Sequence, residues 1–133
     1  FPVEKKEISN AILAHKDNLT KIVKIVHLEI RKKMYLFLKK NKNKKIVILD
    51  IPLLLEKRIN KKNDILVFIQ SKKPDILKRL KKRKNYNAKL LKKFKNLQLP
   101  LYYKKKKSQF IIKNNFIKND ITLGVKMVLK NIL

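Results

Sequence analysis

Apolar residues recur at three- and four-residue steps along most of this chain and close up into unbroken runs at three places. Glu4 to Ala14 has helical spacing, with Ile8, Ala11 and Ile12 on one face. Asp17 suits the N-cap of a longer helix reaching Lys40. Its stripe is Leu19, Ile22, Val23, Val26, Ile30, Met34 and Phe37, with His27 on the polar edge. Asn41 to Lys45 reads as a polar turn. The runs Ile46-Val47-Ile48-Leu49, Ile65 to Ile69 and Phe110 to Ile112 have the β-branched character of strands buried on both faces. Helical segments separate them. Long crossovers between short apolar strands predict an α/β fold, a parallel sheet covered by helices.

Between the second and third runs, Pro74 sits at a first helical turn followed by Ile76, Leu77 and Leu80. A short helix is expected over about Asn87 to Leu97, with Ala88, Leu91, Phe94 and Leu97 on one face, and Pro100 opens a third, basic helix. From Asp120 the chain is amphipathic, with Ile121, Val125, Val128 and Leu129 facing inward. There is no internal repeat and no Pro- or Ser-rich linker.

The 133 residues suit one modest domain or a large piece of one, and 44% hydrophobic residues are enough for a core. Cysteine is absent, which excludes disulfides and Cys-ligated zinc and fits a cytoplasmic protein. The longest apolar stretch, Ile46 to Leu55, is interrupted by Asp50 and Pro52 and is too short to cross a bilayer. The first residue is Phe1 rather than Met, so the expectation is a piece of a longer protein or one from which something upstream was removed.

A net charge of +28 calls for an anionic partner. Arginine, the preferred residue for bidentate phosphate and base contacts, occurs only as Arg31, Arg58, Arg79 and Arg83. The Lys, Asn and Ile excess runs through ordinary amphipathic helix, which we read as the codon bias of an A/T-rich genome; G/C-rich flanking DNA would remove that explanation. Gly124 is the single glycine, so no segment can supply a Gly-rich phosphate loop.

Five positions, Arg79, Arg83, Gln98, Lys104 and Asn114, frame the most informative pattern. Ile76-Leu77-Lys78-Arg79-Leu80-Lys81-Lys82-Arg83 is followed by Gln98-Leu99-Pro100 with Lys104 four residues on, and by Phe110-Ile111-Ile112-Lys113-Asn114. Upstream lie Leu49-Asp50-Ile51-Pro52-Leu53-Leu54-Leu55-Glu56 and Ile25-Val26-His27-Leu28. In order and gap-free spacing these segments resemble the dephospho-coenzyme A kinase family. Its members carry Pro-Leu-Leu-Phe-Glu, Leu-x-Arg-Leu-x-x-Arg, Gln-Met-Pro-x-x-x-Lys, a strand ending in Asn, and Val-His-Pro. Here Leu55 replaces the aromatic, Leu28 the proline, Lys84 the acid usual after the second Arg, and Gln109 the Asp usual before the last strand.

The resemblance implies a P-loop kinase-like parallel sheet with flanking helices, a helical acceptor-binding insertion and a helical lid. It covers about the last two-thirds of a typical member, so the first strand, the phosphate loop and an early Asp are absent from this chain. It divides the chain into an acceptor region (1–43), core strands (44–72), lid (73–108), and last strand with C-terminal helix (109–133). It implies ATP and Mg²⁺, with dephospho-CoA as acceptor, and no membrane partner.

It also assigns residues. Arg83 and Lys104, with Arg79 third, are the lid cations; Arg79 and Arg83 lie one helical turn apart and can face one anion. Composition alone favours solvated cations. The spacing turns Arg83 and Lys104 towards function and leaves Arg79 between the two readings. Asp50, at a strand end, is either the carboxylate near Mg²⁺ or a solvated residue. His27 and Glu56 are assigned to the acceptor, against a structural histidine and a Glu paired with Lys57 or Arg58. Asn114 and Asn115 fall in the nucleotide-side loop, where Asn is also an ordinary turn residue. Gln98 and Pro100 fix the lid turn. Two other functions stay open: a nucleoside monophosphate-type P-loop kinase, and a nucleic-acid binder using lysine faces with Tyr86, Tyr102, Tyr103 and Phe94 for stacking. Nucleic-acid affinity that survives physiological salt would favour the latter, beyond the nonspecific attraction that the charge alone supplies.

Overall fold

The computed structural model describes residues 3–133; Phe1 and Pro2, and with them the start of the expected acceptor region, lie outside the described residues. The chain divides into two compact units, Phe1–Ile59 with Ala88–Leu97, and Asn60–Asn87 with Gln98–Leu133.

The first unit is helical. Helix α1 (Lys5–Ala14) packs with helix α2 (Asn18–Lys40), and helix α4 (Ala88–Asn96) packs on α1. Its centre is Ile12, Leu19 and Val23, joined by Ile22, Leu53, Leu90 and Leu97. Two side chains satisfy carbonyls near the end of α1. Asn18 Nδ2 donates to Ala11 O (2.8 Å), and Lys93 Nζ donates to Ile12 O (2.7 Å). A lysine can bury its stem in this way while its ammonium meets the negative end of a helix. Asp17 occupies the cap position of α2 without a side-chain cap bond; its carbonyl accepts Lys21 N–H instead (3.0 Å).

The inward stripe of α2 differs from the one its apolar residues suggest. His27 is buried, while Val26 and Phe37 are exposed. The side chains turned inward follow 19, 23, 27, 30, 34 and 38, the steps of a straight helix. That register places the histidine inside and Val26 outside. Phe94 of α4 is likewise exposed, and Leu90 takes the inward place expected for it.

Residues 46–51 form no strand. A strand exists only with a hydrogen-bonded neighbour, and none among the described residues pairs with this run; Ile48 is 81% exposed. The Pro-Leu-Leu-Leu-Glu segment beyond it is a coiled turn. Leu53 and Arg58 have positive φ (56° and 49°), and Lys57, Arg58 and Ile59 N–H groups donate to Leu53, Leu55 and Leu54 carbonyls.

The second unit is mixed α/β. Strand β1 (Val67–Gln70) pairs in parallel with strand β2 (Phe110–Lys113), in the register Val67 to Phe110 through Gln70 to Lys113. Helices α3 (Lys73–Lys81) and α5 (Leu101–Lys107) lie on the crossover, and α6 (Lys118–Ile132) packs on β2. Gln109 pins the start of the sheet. Its N–H donates to Leu66 O (3.0 Å), and its side-chain Oε1 accepts Leu66 N–H (2.7 Å).

On α6 the inward face carries Gly124 rather than Val125, which is 41% exposed. A Cβ at Gly124 would sit 2.9 Å from Ile112 Cγ2. The glycine is there to let helix and strand approach, and the β-branched Ile112 has little freedom to yield.

Candidate functional site

Two grooves collect the basic side chains. The larger, about 500 Å³, lies in the second unit and is lined by Asp75, Lys78, Arg79, Lys82, Arg83 and Phe116. Its walls come from the segments beyond the carboxyl end of each parallel strand: α3 after β1, and the loop after β2. Ligands of parallel α/β sheets bind at that end. Pro74 in the first turn starts α3, which carries Arg79; Arg83 falls just past the C-cap Lys82 rather than on the helix, its N–H donating to Leu80 O (3.1 Å), and both arginines line the groove. Four cations face one carboxylate, so the groove attracts anions.

The loop after β2 is held by a dense set of hydrogen bonds. Asn114 N–H extends the ladder to Gln70 O (2.7 Å). Asn114 Oδ1 accepts Phe116 N–H (2.9 Å), and Asn115 Oδ1 accepts Ile117 N–H (3.0 Å). Asn115 Nδ2 donates to the Asp120 carboxylate in the first turn of α6. The two Oδ1 bonds are Asx turns, in which a side-chain oxygen replaces a backbone acceptor. They hold Phe116 at φ 66°, a left-handed conformation that bulky residues avoid. The Arg79 guanidinium stands 4.3 Å over the Phe116 ring, within cation–π range.

The smaller groove, about 260 Å³, lies in the first unit between Thr20, Lys24, His27, Leu28, Arg31 and Lys57. Arg31 donates to Lys57 O (2.9 Å), tying α2 to the Pro-Leu-Leu-Leu-Glu turn. His27 Nδ1 is buried without a hydrogen-bond partner among the described residues. Burial lowers the His27 pKa, and the charges of Lys57 and then Arg31 push it the same way. The ring is therefore held neutral beside two cations.

The sequence-derived residues thus fall in separate places. Arg79 and Arg83 share the larger groove, with Asn114 and Asn115 shaping its loop; Lys104 is not among its lining residues. Lys104 is half-buried on α5, its N–H donating to Pro100 O (3.2 Å). Pro100 caps that helix, and Gln98 lies exposed in the bend before it. His27 lines the smaller groove, and half-buried Glu56 precedes Lys57 in its turn. Asp50 is exposed on the run that forms no strand, so the strand end that suggested a metal ligand is not formed. Among the described residues no group of three or more His, Cys, Asp or Glu could hold a metal.

Sequence reasoning passed over Phe116, Arg31 and Lys57. Arg31 had a signal, since it lies one turn from His27 on the same helix. Phe116 had none, because an aromatic residue in a left-handed turn runs against its own preference.

The second unit is thus a parallel α/β arrangement with its cations gathered beyond the carboxyl ends of its strands. The family model for dephospho-CoA kinase matches residues 3–120, and the chain belongs to that family. No curated protein matches the chain. Among the described residues, no helix is long and apolar enough to cross a membrane.

Proposed function

We propose that this chain is the acceptor, lid and C-terminal portion of a dephospho-CoA kinase with a P-loop kinase-like fold. The reaction moves the γ-phosphoryl of ATP to the ribose 3′-hydroxyl of dephospho-CoA. Such transfers rest on positioning and on stabilising the negative charge that spreads over the equatorial oxygens. Arg83, with Arg79 and Lys104, supplies that charge from the lid, residues 73–108. Residues 1–43 carry the acceptor side, where His27, with Glu56 of the following turn, contacts dephospho-CoA. The rest of the core comes from 44–72 and 109–133. Asn114 and Asn115 set the nucleotide-side loop. Magnesium arrives with ATP; the family resemblance alone assigns Asp50 as its carboxylate, because the run that carries it forms no strand. A cytoplasmic location suits these soluble substrates.

The observation that carries this reading is the groove in which Arg79 and Arg83 stand together beside the loop after β2. One glycine in 133 residues leaves no segment able to wrap a triphosphate. The chain alone is therefore expected to bind nucleotide weakly and to turn nothing over; activity belongs to a gene product that also carries a Gly-rich phosphate loop. The test is chromatographic detection of coenzyme A formed from ATP and dephospho-CoA. Activity in the complete gene product, lost on removing its phosphate loop, supports the proposal. A complete product that carries such a loop and forms no coenzyme A refutes it.

A further inference from the structure

Helix α5 stands outside both grooves: none of its residues lines either one. It reads Leu101-Tyr102-Tyr103 and then Lys104 to Lys107, without an acidic residue, and it holds two of the chain's four tyrosines. At about 3.6 residues per turn, residues two apart project to nearly opposite sides of a helix. Burial on α5 follows that rule. Lys104 is half-buried, whereas Tyr102 is 74% exposed. Lys105 and Lys106 lie one turn beyond Tyr102, and Lys106 and Lys107 one turn beyond Tyr103, so each ring has lysines three and four residues on. The Lys107 ammonium stands 5.7 Å from the centroid of the Tyr103 ring, within cation–π range. The lid role given to Lys104 uses the other side of this helix and leaves this face without a task.

Exposed aromatic faces set among lysines, with no carboxylate between them, fit a polyanion that carries flat bases. We infer that the outer face of α5 binds single-stranded nucleic acid without sequence choice, Tyr102 and Tyr103 stacking on bases while Lys105, Lys106 and Lys107 meet the phosphates. Sequence-tolerant single-strand sites combine these two elements. Seven residues rise about 10 Å, the length of roughly three stacked nucleotides. A second copy of the chain would bring lysines against lysines. An anionic bilayer would attract the lysines, but Leu101 is the one aliphatic side chain that α5 could insert. Lysines occur throughout the chain; the pair of rings among them sets α5 apart. The kinase reading is not needed here, because Lys104 faces the other way.

The test titrates the full chain into a fluorescein-labelled oligothymidylate about 12 nucleotides long, read by fluorescence anisotropy at physiological ionic strength, with inorganic polyphosphate of matched charge as competitor. The chain has no tryptophan, so quenching of its tyrosine emission by unlabelled oligothymidylate reports stacking directly. Tyr102→Ala should weaken the oligonucleotide about tenfold and reduce the quenching, while polyphosphate changes by less than about twofold. Tyr102→Phe, which keeps the ring, should hold the native affinity. Lys105→Ala with Lys106→Ala should weaken both ligands alike and flatten the salt dependence. An unchanged affinity in Tyr102→Ala, or an equal loss for polyphosphate, would reduce the face to plain charge attraction and overturn the proposal. Tighter binding to phosphatidylserine vesicles, or a dimer in sedimentation that Tyr102→Ala dissolves, would name a different occupant and overturn it as well. None of these outcomes touches the kinase reading, which stands or falls on coenzyme A formation.

Discussion

The two grooves are both basic, yet they hold their charge in opposite ways. Around His27 the geometry is fixed: Arg31 is tied to the Lys57 carbonyl, and the histidine is buried and kept neutral. Around Phe116 the backbone is fixed and the cations are not, since Arg79 and Arg83 are exposed along one wall. The first arrangement suits recognition of a ligand that must fit. The second suits charge that has to move onto a ligand. Net charge alone, the same in sign at both places, says nothing of this difference.

The largest effect expected is on the core of the unit that carries His27. Leu19→Ala removes a side chain from the centre of the first unit and should cost about 2–5 kcal/mol, read by chemical denaturation. A loss below about 1 kcal/mol would mean that the helical unit is too loose to fix its groove. Next comes the side whose cations must move. In a complete, active gene product, Arg83→Ala should lower kcat/KM by about 10- to 100-fold, the loss of one charge-assisted contact, while leaving the melting temperature nearly unchanged. A full-rate variant would remove Arg83 from the lid.

Gly124→Ala should destabilise the second unit by about 1–2 kcal/mol. The overpacking cost against Ile112 exceeds the roughly 1 kcal/mol by which alanine favours a helix interior. A stabilised variant would show that α6 shifts freely on β2.

The smallest effect separates the grooves by pH. The unfolded chain protonates His27 near its ordinary value of about 6.5, whereas the folded chain does so only at lower pH. The unfolded state thus binds the extra proton first. Stability is full above about pH 6.5 and is lost as pH falls from there towards the folded pKa. Thermal melts across that window should show the loss, and His27→Gln should flatten it; an unchanged slope in the variant would place the titrating group elsewhere.

Much of the fold was legible in the sequence. The ends of α2, the start of α3 at Pro74 and the parallel pairing of the last two apolar runs follow from local chemistry. The run at 46–49 did not become a strand, because β-branched composition states a preference and pairing needs a partner. Helix faces were misread by one position at Val26 and His27, and at Gly124 and Val125. An apolarity pattern ranks valine above histidine or glycine and cannot see a close backbone approach. For the site, the spacing of Arg79 and Arg83 pointed to one wall, which the larger groove has. Phe116 was hidden because its conformation is imposed by neighbouring asparagines against its own propensity.

Gln109, engaged with Leu66 through both its backbone N–H and its side-chain Oε1, has a consequence for error. A ladder of only four paired residues could slide by one position and still find bonds, and every side chain would then change faces. With the Leu66 N–H already claimed by a side chain of defined reach, the slipped alignment forfeits a bond at its first step. The aromatic ring a few residues downstream thereby inherits its placement from one carboxamide at the opposite end of the strand.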